Sequence, residues 1–293
     1  MSSLSQTLSQ VVRATRPQAG AVASGAGLPT YLVLTIVVLI SVFPFYWILL
    51  SSTHTNAEMN AATPPFLPGS SLLNNVRAAG AQADIPKALL NSLIVATVIS
   101  ISVVLTSTLA GFALAKLKMR GRNVLLAAIV ATIMIPTQLG IIPLFIVMAR
   151  LHLVGSLAAV MLPGLVAAFG VFLMRQYLVN ALPFDLVEAA WVDGARTYRI
   201  FLSIVLPIAR PAMAVLAMLT FMTAWNDFFW PFIVLNPTNP TVQVAIAELG
   251  QGYVHDQSVI LAGTFVCTLP VVLVFLVLGK QIVGGLMQGA VKG

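Results

Sequence analysis

Six apolar runs, each long enough to cross a bilayer, constrain this chain more than any motif in it. A helix needs about 20 mostly apolar residues to traverse the hydrocarbon core. The runs fall at residues 31–50, 88–115, 124–149, 157–178, 212–235 and 258–283. They predict an all-α integral membrane protein with six transmembrane helices. Composition agrees: of 293 residues 59% are hydrophobic and 8% charged, and the mean hydropathy is +0.99. Soluble domains run nearer about 45–50% apolar and about 25% charged, so a water-soluble fold is excluded. With so few charges in all, the net charge of +7 points to a basic membrane protein rather than to a nucleic-acid binder.

Basic residues set the expected orientation. Arg13 and Arg16 precede the first run, as in a signal peptide. That run exceeds the about 7–15 residues of a signal core, and it leads into Ser51-Ser52-Thr53-His54 rather than a small-residue cleavage site. A retained anchor is expected. With the N-terminus inside, all but Arg77, Lys87 and Arg150 of the 15 Lys and Arg residues lie on the inner side. Both termini are therefore expected in the cytoplasm. Residues 1–30, rich in Ser, Ala, Gly and Gln, read as a disordered cytoplasmic tail, and 31–52 as the first spanning helix. Residues 53–86 read as an external loop, punctuated by Pro64-Pro65, Pro68-Gly69 and Asn74-Asn75. Residues 88–279 form the main membrane domain, and 280–293 a cytoplasmic C-terminal tail.

Several chemistries find no residues here. No G-x-x-x-x-G-K-[ST] loop occurs; Gly279-Lys280 is followed by Gln281, so this chain does not bind ATP by that device. Neither H-E-x-x-H nor G-x-S-x-G is present. The single cysteine, Cys267, excludes an internal disulfide and a cysteine metal cluster. His54, His152 and His255 lie far apart in outer loops and read as solvated side chains. No catalytic residue and no metal site is assigned.

The segment 180–210, between the fourth and fifth runs, is the most informative. Asp185 can cap a helix whose Glu188, three residues on, completes a capping-box-like pair. Gly194 stands where a left-handed residue ends that helix. One face carries Leu186, Ala189, Ala190 and Asp193. A second short helix is expected from Tyr198 to Leu206, with Tyr198, Phe201, Leu202 and Val205 as its stripe and Pro207 as its stop. Two readings stand: an amphipathic hairpin on the bilayer surface, or a helix that docks into a protein cleft. Three carboxylates on the first helix (Asp185, Glu188 and Asp193) would be repelled by an anionic membrane surface.

The stretch Glu188-Ala189-Ala190, three residues, Gly194, nine residues, Ile204-x-Leu206-Pro207 resembles the signature of inner-membrane permeases of binding-protein-dependent ABC importers. The resemblance implies a type I importer permease, with 88–279 as its transmembrane domain and 180–210 as its coupling loop. It makes Asp185, Glu188, Ala189, Ala190, Asp193 and Gly194, closed by Ile204, Leu206 and Pro207, the ATPase-coupling set. The implied partners are a second homologous permease, a dimeric ABC ATPase that holds ATP and Mg²⁺, and an extracytoplasmic sugar-binding protein. Membrane lipid surrounds the chain, and no nucleic acid is involved. Three further stretches resemble the smaller permease of maltose-type systems: Asn91-Ser92-Leu93, Ala224-Trp225-Asn226-Asp227-Phe228 with Trp230-Pro231, and the ending Gly289-Ala290-Val291-Lys292-Gly293. In that family the ending reaches the ATPase, which implies contacts from Gly289, Val291 and Lys292. The likeness runs from about Phe43 to the C-terminus. Trp191 is bulky for the coupling signature and reads as a mark of pairing with a particular ATPase.

Polar residues at membrane depth are costly, and so they are functional candidates. Trp225, Asn226 and Asp227 could meet a sugar, the indole by stacking and the polar groups by hydrogen bonds. The alternative is a cap or an interhelical bond near the interface. Gln138, in Ile135-Pro136-Thr137-Gln138-Leu139-Gly140, lies either on an interrupted helix lining a pathway or on a merely kinked one. Asn91 opens the second helix as a further pathway candidate. Thr97, Ser100, Ser107 and Thr108 read as helix-packing residues. An ion-driven transporter would place an ionisable residue at the midplane, where the runs hold none. A permease for a non-sugar solute such as a polyamine keeps the coupling signature and is the other alternative.

Overall fold

The computed structural model describes residues 27–251 and 256–290, with 278–290 as backbone alone. The disordered tail expected before residue 27, His255, Val291 and Lys292 lie outside the described residues. The chain divides into two units, 1–47 and 48–293. Among the described residues all regular structure is helical. The first unit holds most of α1 (Leu28–Ser52), which contains Pro44. Its side chains over 31–46 are exposed. In water such a surface would be untenable; in lipid it needs no partner.

The second unit is built around α4 (Ile85–Lys116), half of whose apolar window is buried. It starts before residue 88, because Asp84 caps it by accepting from the Lys87 N–H at 3.4 Å and Pro86 suits its first turn. Against α4 pack α8 (Ala168–Ala181) and α11 (Leu206–Trp225). Small residues set that approach. A Cβ on Gly111 would sit 2.8 Å from the Met174 Cβ, and one on Gly170 would collide with the Ser107 Oγ. Ser100 donates to the Ala217 carbonyl across the α4–α11 contact at 2.8 Å, while Thr108 bonds within its own helix to Val104. One buried cluster joins Val103, Met174, Leu178, Val187, Ile200, Val205 and Leu216. Another joins Ala79, Ile85, Phe221, Trp225, Leu249 and Cys267.

Segment 53–86 is folded rather than a loop. It holds α2 (Asn56–Met59) and α3 (Leu72–Ala83), so Asn74-Asn75 lies inside a helix, and of the three expected breakers Pro64-Pro65 and Pro68-Gly69 fall between helices. The Asn75 amide donates to the Ser52 and His54 carbonyls at 2.9 and 2.7 Å, and the Thr53 hydroxyl accepts from the Gly69 N–H at 2.8 Å. His54 is not solvated, being 8% exposed, with Nε2 2.8 Å from the Leu67 carbonyl and Nδ1 3.1 Å from Glu58.

Prolines shape the remaining spans. The third run is broken into α5 (Arg122–Ile133) and, after a 3-10 turn at Thr137–Gly140, α6 (Ile141–Arg150), bent by 88°. Pro136 pushes the preceding residue away from the helical region. The fourth comprises α7 (Leu157–Gly164) and α8, parted at 165–167 just after Pro163-Gly164. Between α8 and α11 lie α9 (Phe184–Val192), α10 (Thr197–Ile200) and a π turn at Phe201–Val205. The fifth span runs unbroken from Thr197 to Trp225, so Pro207 is no stop. In the π turn the Leu206 N–H reaches the Phe201 carbonyl, and Pro207 then falls where a helix needs no N–H. The short α12 (Phe229–Val234) and α13 (Val242–Leu249) follow. Finally α14 (Gln257–Ala290) continues as helix through residues 280–290.

Candidate functional site

Nine residues make α9, and the way its end closes explains its rigidity. Gly194 adopts φ +80, a conformation that costs most other residues about 1–2 kcal/mol. The turn lets the Gly194 N–H reach the Trp191 carbonyl at 3.0 Å and the Ala195 N–H reach the Ala190 carbonyl at 2.9 Å. Both bonds together are the Schellman closure. The other end differs from expectation. Pro183, not Asp185, precedes the first helical residue, and no side chain caps it. Asp185 instead lies in the first turn, where a carboxylate favours the helix dipole.

Two faces separate at i, i+3, i+4 spacing. Val187 is fully buried, and Ala190 and Trp191 pack on the same cluster. Trp191 also sets its edge on Phe184, with ring centroids 6.2 Å apart. It is half-buried and anchors α9 inward. Outward lie Asp185, Leu186, Glu188, Ala189, Val192, Asp193 and Gly194. Val192 is 87% exposed. It escaped the sequence reading, although Leu186, Ala189 and Val192 follow one another at helical spacing. Ala190, assigned to the same face as Leu186, is turned half inward. Ile204 and Leu206 are half-buried against the core and Pro207 is exposed, so these three shape the junction with α11. Along α10 and the π turn the buried stripe is Ile200, Phe201 and Val205, while Tyr198 and Leu202 are exposed; the π turn shifts the register.

The remaining candidates are scattered. Trp225 is buried and stacks on Phe221 at 5.6 Å, so it offers no face to a sugar. Asn226 is exposed and bonded to the Met222 carbonyl and Gln243; Asp227 turns its carboxyl toward the backbone N–H groups of Trp230 and Phe229. The Asn91 amide is committed to Asn239 at 3.0 Å and to the Pro240 carbonyl at 2.8 Å. Gln138 stands exposed on the 3-10 turn. Gly289 falls within the backbone of α14. Among the described residues no group of His, Cys, Asp or Glu is placed to hold a metal ion.

Comparison with known proteins gives these features a context. The family model described as "Binding-protein-dependent transport system inner membrane component" matches residues 107–283, more than half of the chain. The chain belongs to this family. This permease is 34% identical over 263 residues to the lactose transport system permease protein LacG of Rhizobium radiobacter, covering 89% of this chain and 95% of the relative. It is 34% identical to the arabinooligosaccharides transport system permease protein AraQ of Halalkalibacterium halodurans, with 87% and 92% covered. It is 32% identical to the sn-glycerol-3-phosphate transport system permease protein UgpE of Escherichia coli, with 88% and 94% covered. A solved bacterial ABC transporter involved in import of the acidic polysaccharide alginate shares its fold, with a TM-score of 0.74, 22% identity and 96% and 98% covered. The permease is thus a multi-pass inner-membrane subunit of an ABC importer and not an enzyme. Hydrolysis of ATP belongs to a partner chain, and permeases of this family work with a second permease, an ATPase and a binding protein.

Proposed function

We propose that this permease is the transmembrane subunit of an ATP-driven carbohydrate importer, forming half of the translocation pathway beside a second, homologous permease. The observation that carries the coupling role is α9: a short helix, closed on itself at Gly194, that presents Leu186, Ala189 and Val192 outward while Val187 anchors it in the core. A dimeric ABC ATPase, holding ATP and Mg²⁺, receives that face. Val187 shares its cluster with Ile200 and Val205, so closure of the ATPase moves α9, the π turn and α11 as one body. The chain's last residues, with Gly289, Val291 and Lys292, supply a second contact to the ATPase. An extracytoplasmic sugar-binding protein delivers solute to the outer segments 53–86 and 236–257.

Charge argues against an anionic solute. No Lys or Arg occurs in 123–149 or 211–257, the stretches that carry the breaks near Gln138 and Asn226. A phosphate ester calls for cations, whereas sugar hydroxyls are met by amides, hydroxyls and carbonyls. Glycerol 3-phosphate, named in one relative, is the second reading.

The test is uptake of labelled mono-, di- and oligosaccharides and of glycerol 3-phosphate in cells lacking this gene, complemented by the native chain or by Gly194→Asp. We expect one saccharide's uptake to be lost and then restored by the native chain alone. Gly194→Asp should reach the membrane yet leave ATP hydrolysis uncoupled from transport. Normal transport by that variant would remove α9 from the mechanism. Restored uptake of the phosphate ester alone would replace the carbohydrate reading with the second.

A further inference from the structure

Several spans of this permease have interrupted backbone, and the freed groups are answered differently. At the break in the fourth span, the Ser102 hydroxyl donates to the Leu165 carbonyl at 2.9 Å. The elbow between α5 and α6 has no such help. Among the described residues the Met134 and Ile135 carbonyls accept from nothing, and the Thr137 and Gln138 N–H groups donate to nothing. All of residues 131–140 are exposed.

Depth makes this costly. The 12 residues of α5 rise about 18 Å from Arg122, which leaves the elbow inside a hydrocarbon layer about 30 Å thick. Lipid offers no hydrogen bond, so irregular backbone at that depth is found only against protein or beside a water-filled cavity. The Thr137 hydroxyl and the Gln138 amide add polar groups of the same need. A bend of 88° presents no straight ridge into whose grooves a partner helix could pack. Nor is the elbow isolated: α12, which packs on α6, starts just after the second polar break at 226–228, where exposed Asn226 accepts from Gln243.

We infer that the elbow at 134–140 lines a water-filled part of the translocation pathway. There it offers the Met134 and Ile135 carbonyls, the Thr137 hydroxyl and the Gln138 amide to an uncharged, hydroxylated solute. The inference rests on the carbohydrate reading for its solute, and on backbone accounting for its water. The chain's one cysteine makes it testable, because Cys267 is buried and can be removed. In a Cys267→Ala background, Thr137→Cys, Gln138→Cys and Gly140→Cys are each exposed to a charged, membrane-impermeant methanethiosulfonate in the assembled transporter. Gly140 has open space for a Cβ, which guards against a folding failure at its neighbours. Val37→Cys, in the middle of α1, is the reference. Thiols react as thiolates, which form in water and not in lipid. We expect modification at the elbow at least about tenfold faster than at Val37→Cys, and slowed by the carbohydrate that is transported. Labelling at the reference rate at all three positions would overturn the inference, since lipid or the second permease must then cover the elbow. Fast labelling indifferent to a transported carbohydrate would refute the solute contact. Should the Cys267→Ala parent import only the phosphate ester while the elbow still labels fast, the carbohydrate reading falls and the watered elbow stands.

Discussion

Asn91 shows how a residue's chemistry and its address are separate questions. An amide at the mouth of a spanning helix reads as a solute ligand, yet both its donated bonds tie α4 to residues 239 and 240 of the outer segment. Asn91→Ala should therefore lower the melting temperature, through loss of bonds worth about 1–3 kcal/mol when a buried partner is orphaned. The KM for uptake should hardly move, and a large rise in KM with unchanged melting would return Asn91 to the pathway. Gly194, by contrast, was legible, because a left-handed helix end demands glycine and the position follows from spacing alone. His54 was not, since nothing local announces that a loop histidine will be roofed by Leu67 thirteen residues on. Its partner Glu58 gives the pH dependence of that roof. Hydrogen bonds from the Thr55 backbone and from His54 hold the Glu58 carboxyl below the usual carboxylate range. A depressed folded-state value stabilises above the ordinary glutamate range, and that contribution is lost as pH falls through the folded value. Limited proteolysis between residues 55 and 71 should thus stay slow at neutral pH and quicken only on strong acidification. Glu58→Gln should be cut at a faster rate that does not change with pH over that window.

At the scale of the element, the sequence reading found the apolar spans, missed the helices Leu72–Ala83 and Val242–Leu249 of the outer segments, and misplaced where the spans stop. Proline was the cause of the misplaced stops. Pro207 was read as an end, but a π turn immediately before it removes the need for its missing N–H, and the helix runs on. No local pattern signals a π turn, which is decided by the packing of Ile200, Phe201 and Val205 in the core. Pro136 does the opposite: it stands alone between two helices that no wider turn joins, and an 88° elbow results. The π turn also sets the rotation of α9 about α11. Deleting Ser203, an exposed residue within it, together with Pro207→Ala to return the N–H that a regular helix needs there, would restore an ordinary helix and turn everything before it by about 100°. We expect a folded, membrane-inserted variant whose partner ATPase hydrolyses ATP without uptake. Coupled transport by that deletion would show that the register of α9 is not what matters.

For the whole molecule, apolar run length was enough to predict a multi-pass helical membrane protein, because bilayer thickness fixes the length of any spanning helix. What run length could not supply is the order of packing. The central place of α4 follows from Gly111, which admits the α8 backbone, and from Gly170, which admits the Ser107 and Val103 side chains, and such contacts are invisible until two distant stretches are set side by side. The coupling segment was legible for the opposite reason, as its chemistry sits within a single run of residues. One property of that segment reaches beyond this chain. Since the Ala190 and Trp191 carbonyls already accept from Ala195 and Gly194, that end of the helix asks little that is polar of whatever receives it. A cleft that takes it need match chiefly its outline, so the receiving surface is free to change its residues over time provided it keeps its shape.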